Sequence, residues 1–195
     1  MAAAGRVFGG AMVRNAATVG GNLCYGSPAA DLAPALMALD AEVVLDSAGG
    51  GRTLPLSDFF VGVRETRHWA DELMTEVRWA PLPARSASRF CKLGLRKGDS
   101  IAVVGVAISL TVENGACSRA RIALAAVAPV VMRAKAAEAV LSGATLSAAV
   151  IDEAARLAVE DCAPIDDIRA SADYRRHVVE ALTRRLLTQA AQALD

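Results

Sequence analysis

The sequence predicts an α+β fold in two parts, and three observations predict it. Short apolar runs of strand character, most of them closed by a turn signal, occupy much of residues 41–127. After residue 132 the pattern changes to the 3.6-residue period of helices. Between the early and the late strands lies a stretch rich in Pro, Ala and Ser, Pro81 to Ser88, with the composition of a domain boundary. The predicted parts are residues 1–80 and 84–195.

Each element has a local reason. Residues 1–12 are small and apolar, the tail of a helix or an irregular lead into a Gly-Gly loop. Leu32–Leu39 reads as a short helix, with Asp31 as a candidate N-cap and Pro34 in its first turn. Ala41–Asp46 reads as a strand, Ser47–Gly51 as a turn and Arg52–Pro55 as the hairpin partner. The triple glycine precedes a strand and no helix start, which excludes a phosphate loop. Leu56–Phe60 forms a capped turn that buries two aromatics, and Glu72–Trp79 is a further strand.

In the second part, Arg89–Leu95 is a strand and Arg96-Lys97-Gly98-Asp99 a tight turn. Ile101–Glu113 is a long apolar strand, Asn114-Gly115 a hairpin signal and Ser118–Val127 the return strand, so three antiparallel strands are expected. Helices are expected over Arg133–Leu141, Ser147–Val159 and Asp173–Ala193. The last puts Val178, Val179, Leu182, Leu186 and Ala190 on one face and Arg175, Arg176, Arg184 and Arg185 on a solvated one.

Bulk properties narrow the function. Twenty-one basic residues balance twenty-one acidic ones, which removes the electrostatic case for nucleic acid or an anionic membrane. A hydrophobic share of 54% with a mean hydropathy of +0.34 is inflated by alanine, and no apolar run reaches the ~20 residues of a spanning helix. The first residues carry no signal-peptide pattern, so a cytoplasmic location is expected. Cys24, Cys91, Cys117 and Cys162 are too dispersed for a metal or cluster site and read as free thiols. His68 and His177 have no nucleophile or carboxylate framework, so no catalytic residue and no metal ligand is expected in this chain.

The string with chemical content is Val13 to Asn22, which contains Thr18-Val19-Gly20-Gly21-Asn22, followed by Asp31. Adjacent glycines permit positive φ and let backbone N–H groups approach an anion or pyrophosphate. Thr18 and Asn22 add polar side chains at the rim, and Asp31 lies close enough in sequence to reach a ribose or ribityl hydroxyl. An ordinary turn between two elements is the competing reading.

Taken with the following Leu23 to Leu36, this string closely resembles the FAD-binding medium subunit of molybdenum hydroxylases, the relatives of xanthine dehydrogenase and aerobic carbon monoxide dehydrogenase. That family carries an Arg-Asn-x-x-Thr-Ile-Gly-Gly-Asn segment around the flavin and an acidic residue nine positions after the Asn, where Asp31 stands here. Ile168 to Arg176 is similar to the family's D-x-R-x-S-x-x-Y-R segment. The resemblance implies the C-terminal part of a PCMH-type FAD-binding domain, then a small domain of three antiparallel strands and a helical bundle.

It further implies FAD contacts from Thr18, Val19, Gly20, Gly21, Asn22 and Asp31, with Lys92 at the flavin and Met74 packed against it. An exposed strand lysine and an ordinary core methionine are the alternatives for the last two. The implied partners are a molybdenum-binding large subunit and a small subunit with two [2Fe-2S] clusters. The flavin would pass their electrons to NAD, oxygen or another acceptor. Full-length members carry a further Gly-rich loop of Ala-Gly-Gly-x-(Ser/Thr) type near their start, and residues 1–12 do not match it. The expectation is therefore a medium subunit without half of its flavin cradle that binds FAD poorly alone: either the sequence is a truncated piece, or another chain supplies the missing half-domain. The alternative is a docking module without flavin. A stand-alone nucleotide enzyme is disfavoured, because no strand, Gly-loop and helix fingerprint is present.

Overall fold

A computed structural model describes residues 1–194. The first part opens with three short helices of six residues each, α1 (Ala2–Val7), α2 (Ala11–Ala16) and α3 (Val19–Cys24). The expected Gly-Gly loop is therefore a correction. Gly20 and Gly21 lie inside α3 and do not adopt positive φ. Thr18 explains this locally, since its hydroxyl accepts from the Gly21 N–H at 2.9 Å and starts the helix.

Helix α4 (Ala33–Met37) follows, with every residue buried and Pro34 in the first turn. Asp31 does not cap it. Leu32 holds the N-cap position without a side-chain bond.

Strands β1 (Glu42–Ser47) and β2 (Gly50–Pro55) form the expected hairpin. One-turn helix α5 (Leu56–Phe59) buries Phe59 and, just beyond it, Phe60, although no side chain caps it. A small hairpin, β3 (Phe60–Gly62) with β4 (Glu65–Thr66), has no counterpart in the sequence reading. Strand β5 (Leu73–Arg78) then pairs antiparallel with β1, giving the sheet order β2-β1-β5.

The second sheet has four antiparallel strands where three were expected: β6 (Ser86–Gly94), β7 (Ala102–Glu113), β8 (Ala116–Ala125) and the two-residue β9 (Met132–Arg133). β6 starts inside the stretch read as a boundary, because Ser86-Ala87-Ser88 pairs with Thr111-Leu110-Ser109 across the sheet. β9 takes Arg133 from the expected helix, and α6 begins only at Lys135 (Lys135–Leu141). Helices α7 (Ala148–Leu157) and α8 (Ala172–Ala191) follow, capped by Ser147 and Ser171. Each serine hydroxyl accepts an N–H of the first turn.

Both faces of this sheet are covered, and the residue sizes on β7 show how. Val104, Val106, Ile108 and Leu110 pack with α6, α7 and α8 in one core. The opposite face carries Ala107, Ala123 and Ala125, whose small side chains let α4 approach, and these join Leu23, Leu36, Met37 and Phe59 in a second core. That second core contains residues from before and after the linker. The two parts thus share buried apolar surface, and a polar hub adds to it. Asp40, with φ of 51°, accepts from Arg119, Arg121 and Arg133 at 2.7–2.8 Å. Burial opposes ionisation of Asp40, yet the arginines outweigh it and hold its pKa below the ordinary value.

Candidate functional site

Helix α3 sits against β5. Its only buried residue is Leu23, which leaves Thr18, Val19 and Gly21 on the surface. The two glycines have distinct packing reasons. A Cβ at Gly20 would lie 3.9 Å from the Met74 sulfur, while one at Gly21 would lie 3.0 Å from the Thr18 hydroxyl that caps the helix. The structure thus joins exposed Thr18 and Gly21 with half-buried Gly20 and Met74 in one ridge.

The chain then turns at Gly26, whose φ of 61° and close approach to the Arg64 backbone exclude a larger residue. Asn22 spans this turn, and its side-chain oxygen accepts from the Leu32 N–H at 3.3 Å. That bond sets the position of the preceding residue, Asp31. Lys92, from β6, donates from Nζ to Asp31 Oδ2 at 2.6 Å and to the Val7 carbonyl at 3.1 Å. The Lys92 and Asp31 side chains are 6% and 11% exposed, so Lys92 is not an exposed strand lysine.

Asp31 Oδ1 is buried and has no hydrogen-bond partner. Burial raises the Asp31 pKa above its ordinary value, and the bond and charge of Lys92 only partly offset that. Such an acceptor is costly unless a donor reaches it.

Asp31 and Asn22 line a cavity of about 990 Å³. Its wall also takes in Phe8 and Val13, the β3–β4 turn at Val63 and Arg64, Asp99 to Ile101, the segment after β8, and the α7–α8 loop. Lys92 stands behind Asp31 and borders an adjoining pocket of about 370 Å³ under the Arg96–Ser100 turn. The ridge residues Thr18, Val19, Gly20, Gly21 and Met74 do not line the large cavity. The predicted residues therefore fall into two groups, a ridge and a cavity wall, with Asn22 in the same helix as the ridge and on the cavity as well.

Sequence reasoning missed a third group. Arg175 was placed on a solvated helix face, yet it is buried, and it bonds Asp167 at 2.7 Å. Asp167 also accepts from the Arg169 side chain and from the N–H groups of Arg169 and Ala170. The Arg169 bond leads in holding the Asp167 pKa well below the ordinary carboxylate value, burial acting against it. The signal was present in the period. Arg175 stands seven residues before Leu182, two helical turns, and so belongs to the apolar stripe. The other arginines do lie toward solvent: Arg176 pairs with Asp173, and Arg184 with Asp152 and Glu180.

Among the described residues, no group of three or more His, Cys, Asp or Glu is placed to hold a metal, and no helix is long and apolar enough to cross a membrane. Asp31 lines the large cavity and keeps one buried oxygen without a partner, a combination that fits a ligand donating a hydroxyl hydrogen, as a ribityl or ribose group does.

Residues 89–190 match the family described as the CO dehydrogenase flavoprotein C-terminal domain, and residues 1–82 match the FAD binding domain in molybdopterin dehydrogenase. The chain belongs to this family of medium-subunit flavoproteins. Among its relatives is the 6-hydroxypseudooxynicotine dehydrogenase complex subunit alpha of Paenarthrobacter nicotinovorans, 36% identical over 91% of this chain and 60% of that one. The carbon monoxide dehydrogenase medium chain of Hydrogenophaga pseudoflava is 30% identical over 97% of this chain and 66% of its own length.

A solved carbon monoxide dehydrogenase from Hydrogenophaga pseudoflava superposes with a TM-score of 0.92 at 34% identity, covering 97% of this chain and 65% of that one. Quinoline 2-oxidoreductase from Pseudomonas putida 86 gives 0.85 at 33% identity, over 95% and 64%. The chain thus spans about two thirds of the length of the relatives it matches. Members of the family share both the mixed α+β architecture and its antiparallel sheets.

Proposed function

We propose that this chain contributes a wall of an FAD site in the electron-transfer subunit of a molybdenum hydroxylase. The observation that carries the reading is Asp31, a residue of the cavity wall held by Lys92 and keeping one buried oxygen unpaired, in a chain of this family. Bound FAD would supply the redox chemistry, taking electrons from [2Fe-2S] clusters in a small subunit and yielding them to an acceptor.

The chain's own residues bind and orient. Asp31 Oδ1 accepts a hydrogen bond from a ribityl or ribose hydroxyl, and Lys92 aims Asp31 and offsets part of the burial cost of its carboxylate. Asn22 fixes the turn that presents Asp31. Thr18 starts α3 and takes the Gly21 N–H on its hydroxyl, which leaves the N–H groups of Val19 and Gly20 as backbone donors to the cofactor. Met74 supports Gly20 from beneath. A large molybdenum-binding subunit and a small iron-sulfur subunit are the proposed partners, in a cytoplasmic complex.

We also infer that polypeptide outside these 195 residues completes the cradle. Helix α2 has no buried residue, and Met12 on it is 88% exposed while Val13 and Val19 are exposed nearby. An apolar group of this kind suits a covered face. The same exposure favours a second reading, a docking module that no longer binds flavin.

Absorbance between the two readings is decisive. The chain is purified alone and co-expressed with a complementing segment of ~100 residues, about the size of half a domain. Colour only on co-expression supports the completed cradle, and colour in the isolated chain shows that these residues suffice. Colourless protein in both preparations, with the two segments associated, would leave the docking module.

A further inference from the structure

The charged residue most deeply enclosed among those described is Arg175, 1% exposed in the first turns of α8. One guanidinium end reaches three segments. Its Nη1 donates to the carbonyls of Val103 and, at 3.0 Å, Ala126, and its Nη2 donates to Asp167. Val103 lies two residues past Ile101 at the start of β7. Ala126 directly follows β8 with φ of 64°, a conformation alanine rarely holds without support. Asp167 belongs to the α7–α8 loop, which is also tied down by the Ala163 N–H on the Val127 carbonyl at 2.9 Å. Ile101, Ala126 and Asp167 all line the large cavity.

We propose that Arg175 is a positioning residue for the cavity, a clamp that makes three wall segments move as one unit. Its planar fork serves acceptors in different directions at once, which a lysine ammonium on a flexible stem does not reproduce. Asp167 completes the clamp and keeps the buried charge paired. The consequence for FAD rests on the flavin reading above: a wall that moves in pieces presents the cofactor with a looser site.

The test compares wild-type chain with Arg175→Lys, Asp167→Asn and their double variant. Arg184→Lys, a surface arginine of the same helix, is the control. Hydrogen exchange is followed over residues 99–103, 126–129 and 163–170, with 106–111 as the reference inside β7. In Arg175→Lys the three segments should exchange together about tenfold faster, ~1.4 kcal/mol, while the β7 interior is unchanged. The double variant should exchange no faster than the worse single one, because both residues act in one clamp.

FAD titration, with the complementing segment present, should show at least a tenfold weaker dissociation constant and flavin fluorescence closer to that of free flavin. Segments that respond separately, or a uniform acceleration that includes β7, would overturn the clamp. A coupled exchange response with wild-type FAD affinity and fluorescence would overturn its role toward the cofactor. If wild-type chain takes up no FAD, the flavin reading fails while the exchange measurement still decides the clamp.

Discussion

Asp31 and Asp167 line the same cavity and are both held by basic side chains, yet their surroundings push them in opposite directions. Asp167 has donors on both oxygens, from Arg169, Arg175 and two backbone N–H groups, and its pKa falls. Asp31 has one oxygen on Lys92 and the other on nothing, and its pKa rises because burial outweighs the lysine. A carboxylate with every lone-pair direction filled stabilises the fold and has little left for a ligand. One with a buried vacant acceptor costs the apo fold and regains that cost when a hydroxyl arrives. The difference separates scaffold from site where residue type and burial alone do not.

The largest expected effect breaks the saturated group. Arg175→Met leaves Asp167 without its main buried partner and two carbonyls without a donor, and should cost about 3–5 kcal/mol of stability. Urea unfolding with a constant m-value would measure it, and a loss under ~1 kcal/mol would contradict the scaffold role. Asp31→Asn should cost less. Lys92 then stays buried against a neutral partner, and the double variant Asp31→Asn with Lys92→Met should recover to within about 1 kcal/mol of wild type. In that double variant FAD affinity should stay at least tenfold down, ~1.4 kcal/mol, even though the fold has recovered. Affinity and stability moving together would remove the distinction between the two carboxylates.

Titration sharpens the same contrast. The folded pKa of Asp167 and of Asp40 is depressed, so the stability each contributes is present above the unfolded value of about 3.9 and is lost as pH falls below it toward the folded pKa. Asp31 has a raised folded pKa and contributes with the opposite sign. Its ionisation costs stability as pH rises from the unfolded value through the folded one. The stability gap between wild type and Asp167→Asn should therefore start to close below about pH 4, where the unfolded chain takes up the proton first, and go on closing toward the depressed folded pKa. The Asp31→Asn gap should not follow that course. Parallel pH profiles from unfolding curves would show that Asp31 is as saturated as Asp167.

The smallest effect concerns the ridge. A Cβ at Gly20 meets only the Met74 sulfur at ordinary contact distance, and the residue is helical, so Gly20→Ala should stabilise the fold by up to about 1 kcal/mol. If Gly20 is small for the sake of a ligand, FAD affinity should fall in that stabilised variant. At Gly21 the new Cβ would press on the Thr18 cap at 3.0 Å and offset the propensity gain. Unchanged FAD binding in Gly20→Ala would assign that glycine to packing alone.

Much of this was legible along the chain. The β1–β2 and β7–β8 hairpins follow from their turn residues, and the serine cap of α7 from its position before an apolar period. Asn22 and Asp31 were marked by spacing and resemblance and meet the same cavity. What the reading misplaced depended on distant partners. The conformation of Gly20 and Gly21 was decided by the Thr18 cap and the β5 surface, since glycine itself is permissive. The short strands β4 and β9 exist only because a neighbouring strand offers paired groups, and two or three residues carry no period of their own.

Sequence by itself determined the β1–β2 and β7–β8 hairpins with their turns, most of the apolar stripe of α8 and the membership of the chain in its family, because each rests on residues close together in the chain. Tertiary structure decided which charges were enclosed. Lys92 is buried because α1 and Asp31 close over β6, and Arg175 because β7, β8 and the α7–α8 loop converge on its helix. A charged side chain enters a core only when the fold supplies its partners, and those partners lie 61 and 85 residues from Lys92 and up to 72 from Arg175.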